Sequence, residues 1–359
     1  MAQFVEHNQS LELNSTTSVI ILDQDKTVQK FESLYYSAQP VISSILIGTG
    51  LLGICGNLLT LVVFFRLGFL STVNVSCAAL TVSDLCCVVA GILCGISVNG
   101  VFRRHFDERS FYHFSNLAGG LVQITFSRIT ALITAWISLE RCLCVVFPAK
   151  IRMIVTRRLT AVVLTAIFSI NFLFMVSIYV AFRFDIQVDP QTNSTVWTLY
   201  WEKESTADAL REIALLLFGM IFPVFSWLVV AICTAILTFK LKQSSKWRRQ
   251  NAQSPVVWHT NTANIHRTRK QGLAEKERRL TKVVVLVAAI FLACSVPTSA
   301  QLLARLTLPE YGIGGNLSYL YLVNGSICVL MNQLNSSINI FVYASLGQNF
   351  RAALRQVLC

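Results

Sequence analysis

The amino-acid sequence predicts an all-α integral membrane protein, a seven-transmembrane helix bundle with a short amphipathic C-terminal helix. Of its 359 residues, 54% are hydrophobic and only 13% are charged, which is about half the charged fraction of an ordinary soluble domain. Much of the surface must therefore face something other than water. This composition excludes a soluble globular protein.

Seven segments are long enough and apolar enough to cross a bilayer, because a helix needs about 20 residues to span about 30 Å of hydrocarbon. Asp84 interrupts the second segment, and His113 and Arg128 interrupt the third. The segments are Val41–Phe65, Leu67–Phe102, Ser110–Leu139, Leu159–Phe182, Ile213–Phe239, Val283–Ala304 and Tyr311–Phe350.

The positions of lysine and arginine predict the orientation, because cytoplasmic loops are enriched in both residues. The loops on one side, counted around Arg66, over Lys150–Arg158 and over Lys240–Arg279, hold with the C-terminus 18 of the 30 basic residues. The loops on the other side, with the N-terminus, hold nine, mixed with nearly all the acidic residues. We expect a multi-pass plasma-membrane protein with an extracellular N-terminus. Its net charge of +12 then faces anionic lipid, and nucleic acid is not an expected partner.

Four regions follow from this layout. Residues 1–40 are expected to form an extracellular tail without a cleavable signal peptide, since no basic region precedes an apolar one. Residues 41–345 hold the spans, with a basic cytoplasmic loop at 240–282, and residues 346–359 form the amphipathic helix. Cys359 is a candidate for palmitoylation. The glycosylation sequons that fall outside the membrane are at Asn8, Asn14 and Asn193.

A polar stripe follows one face of the third segment. At about 100° per residue its members all fall within about 40° of the first of them, from the outer half to the cytoplasmic end of the segment. They are Gln123, Ser127, Thr130, Thr134 and Arg141. Such side chains also serve as ordinary hydrogen-bonding contacts between membrane helices. A stripe that ends on an arginine favours function, because ionisable residues inside a membrane are costly.

Arg128 lies about 140° from this stripe, so the helical geometry predicts that it faces the fourth or fifth helix. Asn171 lies at a comparable depth in the fourth segment and is the expected acceptor for its guanidinium group. We expect Arg128 to anchor neighbouring helices, with ligand binding as the alternative.

Six short motifs occur in order along the predicted spans. They are Gly56-Asn57-Leu58, Leu80-Thr-Val-Ser-Asp84, Glu140-Arg141-Cys142 with Val146-Phe147-Pro148, Phe222-Pro223, Phe291-x-x-Cys294-x-x-Pro297, and Asn339-Ile-Phe-Val-Tyr343 followed by Phe350-Arg351. In this order they resemble the signature positions of rhodopsin-like (class A) G-protein-coupled receptors, over the chain from Val41 onward. The run from Glu140 to Pro148 resembles invertebrate peptide or chemosensory receptors.

The sequence departs from the family pattern at several positions. Cys142 replaces a tyrosine, Ile340 a proline and Ser295 a tryptophan. Asn116 stands where the family keeps a cysteine, 25 residues before Arg141, and the second outer loop also lacks the partner cysteine. We therefore expect no disulfide at the outer face.

The resemblance implies that Arg141 engages a heterotrimeric G protein in the active state. In the inactive state it would pair with Glu277, although Glu277 has neighbouring basic residues as alternative partners. The implied coupling and activation switch comprises Glu140, Arg141, Glu277, Pro297, Asn339 and Tyr343. Arrestin is a further expected partner, through the hydroxyl groups of the basic loop.

The resemblance also implies a sodium site, the only cofactor that we expect. Its residues are Asp84, Thr130, Asn335, Ser336 and Asn339. Oxygen ligands suit a hard cation, and a buried carboxylate needs a counter-charge. The alternative is a water-filled network around a protonated Asp84.

Gln123, Ser127 and Gln333 are the expected ligand-pocket residues. Gln123 replaces the carboxylate of amine receptors, and Gln333 replaces the lysine that binds retinal in opsins. An extracellular peptide, in particular a neuropeptide, is the leading interpretation, and a small chemosensory molecule is the second. A transporter remains a further alternative, and no nucleophile–base set or metal cluster indicates an enzyme.

Overall fold

The structure is a computed structural model, and it describes residues 2–69, 71–97, 108–147, 151, 154–188, 195–201, 209, 213, 216–251, 261–312 and 315–358. Within these ranges, side chains are described from Val28 onward. Those of residues 245–251, 261–274 and 276–277 and of some single positions are not described.

Seven helices in the described residues are long and apolar enough to cross a membrane, in agreement with the sequence prediction. They are Val28–Leu67, Thr72–Ser97, His113–Val146, Arg157–Val180, Gly219–Ser244, Arg278–Thr307 and Ser318–Ser345, here called the first to seventh spans. The protein is thus a multi-pass seven-transmembrane bundle. An eighth helix, Gln348–Leu358, follows the last span as predicted.

The first helix is longer than the sequence prediction. It runs Ala2–Leu67 and contains Pro40, whereas the prediction placed a tail before Val41. Pro40 lacks the N–H that would donate to the carbonyl of Tyr36, and the helix nevertheless continues through it. The Ser44 hydroxyl donates to the carbonyl of Pro40 (2.8 Å). The extension packs on the seventh span through rings of Tyr35, Tyr36 and Tyr319, with centroids 5.3–6.1 Å apart.

The basic loop predicted at residues 240–282 is shorter in the structure. The helix of the fifth span, Phe222–Asn251, continues well past Lys240, and the helix of the sixth span begins at Asn261 (Asn261–Thr307). Straight-chain basic residues favour helix when they continue an existing turn, so charge alone is a poor marker of a loop. The middle of the predicted loop lies outside the described residues.

The third span is built from three helical pieces. An α-helix, Glu108–Ser115, passes into a π-helical turn, Asn116–Gly120, and then into the α-helix Leu121–Val146. Asn116, the residue that replaces the family's cysteine, begins the π turn. The backbone of the second span lies very close to Gly119, since a Cβ there would come within 2.4 Å of the amide nitrogen of Cys94. The glycine therefore permits the approach of the second and third spans.

A β-hairpin follows the fourth span. Strands β1 (Phe182–Val188) and β2 (Thr195–Trp201) pair antiparallel, with Phe182 opposite Trp201. The ring of His113 packs against Phe182 (5.5 Å between centroids). The hydroxyl of Tyr179, just before the hairpin, donates to the carbonyl of Leu117 in the π turn (2.5 Å). These contacts hold the second loop against the third span without a disulfide.

We call this side of the bundle the hairpin end, and the side that carries Arg141 and the last helix the basic end. At the basic end, Phe350 is buried beside Phe64 and Tyr343, with ring centroids 5.7 and 5.6 Å away. The guanidinium of Arg66 donates to the carbonyl of Gln356 (2.8 Å). These contacts pack the last helix against the first and seventh spans.

Candidate functional site

The polar groups of the bundle are arranged around Asp84, which is fully buried in the second span. Its carboxylate accepts hydrogen bonds from Thr130 Oγ1 (2.9 Å) and from Asn339 Nδ2 (2.7 Å). Thr130 lies within 3.0 Å of the hydroxyl of Ser83, which donates to the carbonyl of Phe126 (2.9 Å). Asp84 therefore links the second, third and seventh spans at one point.

The other two residues of the predicted sodium site are placed differently. The buried Ser336 hydroxyl lies beside the Asp84 carboxylate, outside ordinary hydrogen-bond geometry and without another hydrogen-bond partner among the described residues. Asn335 is half-buried and makes no hydrogen bond to Asp84 in the described structure. Ser83 was not among the predicted sodium-site residues, because the family motif identifies the next residue, Asp84. The hydroxyl and carboxylate oxygens around Asp84 are nonetheless hard ligands of the kind that sodium prefers.

The predicted pocket residues Gln123 and Gln333 lie against each other nearer the hairpin end. Gln123 Nε2 is 3.3 Å from Gln333 Oε1 and 3.1 Å from the carbonyl of Val329. Gln333 Nε2 reaches the carbonyls of Leu46 and Val88, each at 3.3 Å. Both glutamines are fully buried. They form an amide bridge between four spans.

A glycine of the second span makes room for this bridge. A Cβ at Gly91 would come within 2.0 Å of Gln333 Oε1 and 2.8 Å of Gln123 Nε2. Ser127, the third predicted pocket residue, is half-buried on the third span. The structure therefore brings the two glutamines together and leaves Ser127 outside their hydrogen bonds.

Glu140 and Arg141 form a buried ion pair at the basic end. Arg141 Nη2 lies 2.7 Å from Glu140 Oε1, and the same carboxylate oxygen accepts a hydrogen bond from the hydroxyl of Thr72. Side-chain exposure is 8% for Arg141 and 1% for Glu140. The guanidinium is thus held within the bundle by a carboxylate that the second span helps to fix. The Glu277 side chain, its predicted partner, lies outside the described residues.

Two further predicted switch residues lie on the sixth and seventh spans. Tyr343 is buried, with its ring 5.5 Å from that of Phe64. With Ser138 it lines a small enclosed space of about 10 Å³ between the third, sixth and seventh spans. Pro297 lies inside the sixth helix, where its missing N–H leaves one carbonyl of the preceding turn without a helical donor. Ser295, which replaces the family's tryptophan, donates to the carbonyl of Phe291.

The expected hydrogen bond from Arg128 to Asn171 is not present among the described residues. Asn171 Nδ2 donates to the carbonyl of Ile167 in its own helix (2.7 Å), and the described structure has no hydrogen bond between Asn171 and Arg128. The guanidinium instead lies within electrostatic range of Cys328 on the seventh span. A long side chain can turn away from the direction of its Cβ, and helical phase alone could not predict this.

A further cavity lies away from these groups. It is an open apolar groove of about 800 Å³ on the lipid-facing side of the fourth span, lined by residues such as Val75, Phe168 and Phe172. A surface of this kind inside a bilayer is covered by acyl chains. Its lining is mostly apolar, with Thr165 and Ser169 as its hydroxyl side chains, and we do not assign it to a ligand.

Comparison with known proteins agrees with this architecture. The family model described as 7 transmembrane receptor (rhodopsin family) matches residues 56–343. The chain is also similar to the human C3a anaphylatoxin chemotactic receptor, with 32% identity over 93 residues, which are 26% of this chain and 18% of that receptor. The match thus spans less than a fifth of that relative. The family match covers all the sites described above except the last helix and the first-helix extension. The chain belongs to the rhodopsin family of seven-transmembrane receptors.

Proposed function

We propose that this receptor binds an extracellular ligand at the hairpin end and activates a heterotrimeric G protein at the basic end. The proposal places the N-terminus outside the cell and the receptor in the plasma membrane, as the distribution of basic residues favours. The observation that carries it is the continuous series of buried polar groups along the third span. This series begins at Gln123, passes Thr130 beside Asp84 and ends at the pair of Glu140 and Arg141.

These groups link one end of the bundle to the other through discrete contacts that a ligand can bias. The amide bridge of Gln123 and Gln333 joins four spans above Asp84. Below it, Asp84 joins the third span to Asn339 on the seventh. A ligand acts only through the difference in its affinity for two states. A ligand that separates the glutamines would favour a different packing of the third and seventh spans, and release Arg141 from Glu140.

A peptide is the ligand class that we favour. Strand β1 and its partner present an apolar face at the hairpin end, formed by Phe184, Ile186, Val188 and Trp197, which are 41–58% exposed. Alternation along paired strands puts these side chains on one face, with Ile186 opposite Trp197. Extended apolar surfaces of this kind suit a ligand with several side chains. The neutral Gln123 also offers no counter-ion to a small amine.

A small chemosensory molecule is the second candidate. Its support is the group of neutral polar side chains between the sixth and seventh spans, where Cys328 Sγ lies 3.0 Å from Gln301 Oε1. A compact site deep among helices, with a few convergent polar groups, suits a small ligand. Such a ligand would make no use of the exposed hairpin face.

Nucleotide exchange distinguishes these ligand classes. The receptor is reconstituted in lipid nanodiscs with purified heterotrimeric G proteins of several classes, and a peptide library and a small-molecule library are tested at equal concentrations. We expect peptides to accelerate exchange. Replacing the exposed apolar residues Phe184 and Ile186 by Ser should weaken a peptide response, whereas the same changes at the lipid-facing residues Leu173 and Val176 serve as a location control. Responses only to small molecules, unchanged by the hairpin variant, would contradict the peptide assignment.

A further inference from the structure

Arg128 is an ionisable residue that the features described so far do not use. It lies on the third span between the amide bridge at Gln123 and the Asp84 cluster, and it is half-buried. Its Nε is shielded from solvent and has no hydrogen-bond partner among the described residues. The described residues form no ion pair with its guanidinium.

The surroundings of Arg128 are neutral. Its electrostatic neighbour is Cys328 on the seventh span. The Cys328 thiol lies 3.0 Å from Gln301 Oε1 on the sixth span, and Gln301 Nε2 lies 3.4 Å from the carbonyl of Tyr321. A neutral thiol and a neutral amide do not compensate a full positive charge. The third, sixth and seventh spans therefore enclose a cation that lacks a counter-charge in the described residues.

The buried carboxylates among the described residues have other hydrogen-bond or ion-pair partners. Asp84 accepts from Thr130 and Asn339, and Glu140 pairs with Arg141. A charged group in a membrane interior is costly unless it is paired. Replacing Arg128 by a neutral residue would remove this cost, so the arginine is not explained by stability. Residues that lower stability in this way are frequently kept for binding.

We propose that Arg128 recognises a carboxylate on the ligand. A guanidinium presents paired N–H donors that match the two oxygens of a carboxylate, and such pairs are strong where water is excluded. The proposal deepens the proposed function, because it names the chemistry of the ligand that enters from the hairpin end. The carboxylate could belong to a peptide C-terminus, to an acidic side chain or to a small organic acid.

The test uses ligand fragments and contains no G protein, so its failure leaves the signalling proposal untouched. The purified full-length receptor in nanodiscs is unfolded thermally at constant ionic strength with N-acetyl-phenylalanine, N-acetyl-aspartic acid amide or benzoate. Each is compared with its neutral amide at the same concentration. We expect at least one carboxylate to raise the unfolding midpoint by about 1–3 °C more than its amide does. The probe that does so identifies the source of the carboxylate.

Three variants decide whether Arg128 is responsible. Arg128→Gln should abolish the difference between carboxylate and amide, and Arg128→Lys, which keeps the charge, should retain part of it. Arg305→Gln, an exposed arginine at the hairpin end of the sixth helix, should behave as wild type. Without probe, Arg128→Gln should unfold at a higher temperature than wild type, because the uncompensated charge is gone. A lower midpoint or failure to fold would identify a structural anchor and overturn the proposal. Equal wild-type responses to acids and amides, or a carboxylate response that survives in Arg128→Gln, would also overturn it.

Discussion

At the scale of single residues, the cost of burying charge explains the arrangement of the polar groups. Asp84 receives two hydrogen bonds, from Thr130 and Asn339, and Glu140 is paired with Arg141. Each carboxylate is thus compensated in a different way, one by neutral donors and one by a cation. A carboxylate held only by neutral donors can still accept a cation, whereas one already paired with a cation cannot.

Sodium binding at Asp84 follows from this difference and is a prediction. NaCl should raise the midpoint of thermal unfolding of the ligand-free receptor by about 1–3 °C relative to KCl at equal concentration, because a ligand that binds only the folded state stabilises it. Asp84→Asn should remove the difference. Ser336→Ala should reduce it, since its hydroxyl lies beside the carboxylate without another partner.

The matched control is Ser337→Ala. The Ser337 hydroxyl donates to the carbonyl of Gln333 (2.8 Å) in the same helix. Its removal should therefore leave the sodium response intact. A wild-type receptor with the same midpoint in both salts would argue for a plain hydrogen-bond network around Asp84.

At the scale of elements, the contacts of the second loop replace the disulfide that the family normally has there. All ten described cysteines, including Cys94 and Cys328, are free. The hairpin is held instead by the Tyr179 hydroxyl on Leu117 and by the packing of His113 on Phe182. A hydrogen bond and a ring contact are individually weaker than a covalent link, so this loop depends on several such contacts.

Reduction should therefore have little effect on the receptor, whereas loss of the Tyr179 hydroxyl should loosen the hairpin. We expect Tyr179→Phe to lower stability by about 0.5–1.5 kcal/mol and to raise amide hydrogen exchange in residues 182–201. Dithiothreitol should change neither quantity in the wild type. Tyr200→Phe, an exposed tyrosine on the hairpin, serves as the control. Increased exchange after reduction would reveal a disulfide that this account does not contain.

The sequence predicted the presence of each transmembrane helix better than it predicted where each helix begins and ends. A continuous run of about 20 apolar residues forms a helix in a bilayer, because its backbone N–H and C=O groups must be hydrogen-bonded within the segment. All seven spans were therefore predictable. The apolar segments were predicted to begin at Val41 and to end at Phe239, and helix continues past both positions. The π turn at Asn116 was also not predicted, and neither was the close approach of Gly119 to the second span.

The candidate site was predictable to a similar degree. Asp84, Thr130 and Asn339 follow from motif positions and lie together as expected. The bond between Gln123 and Gln333 depends on the room that Gly91 leaves between spans, and no pattern within one helix reveals this. The predicted hydrogen bond between Arg128 and Asn171 is not present among the described residues for a similar reason, since the position of a long flexible side chain depends on its neighbours and not only on helical phase.

At the scale of the whole molecule, orientation is the property on which the proposed signalling direction depends. If the N-terminus is extracellular, the predicted sites Asn8, Asn14 and Asn193 are accessible to glycosylation. Peptide N-glycosidase F should then increase the mobility of the receptor expressed in cells. A triple variant with Gln at these positions should run at the deglycosylated position without treatment.

Single Asn→Gln variants at the three predicted sites show which of them carry glycan. Asn324→Gln is the matched control. Asn324 also belongs to a sequon, but it lies in the seventh span with its Nδ2 2.7 Å from the hydroxyl of Tyr311. It should remain unmodified. Unchanged mobility of the wild type on enzyme treatment would remove this support for the assigned orientation.

The central claim is that Arg141, at the end of the polar series, couples this receptor to a G protein. The most direct test is the rate of nucleotide exchange on purified heterotrimeric G protein, measured with the receptor in nanodiscs and with the most active peptide from the library. We predict that wild type and Arg305→Ala accelerate exchange. Arg141→Ala should give only the receptor-free rate, while its surface level in cells stays close to wild type. Full exchange with Arg141→Ala, or no acceleration by the wild type with any class of G protein, would contradict the account.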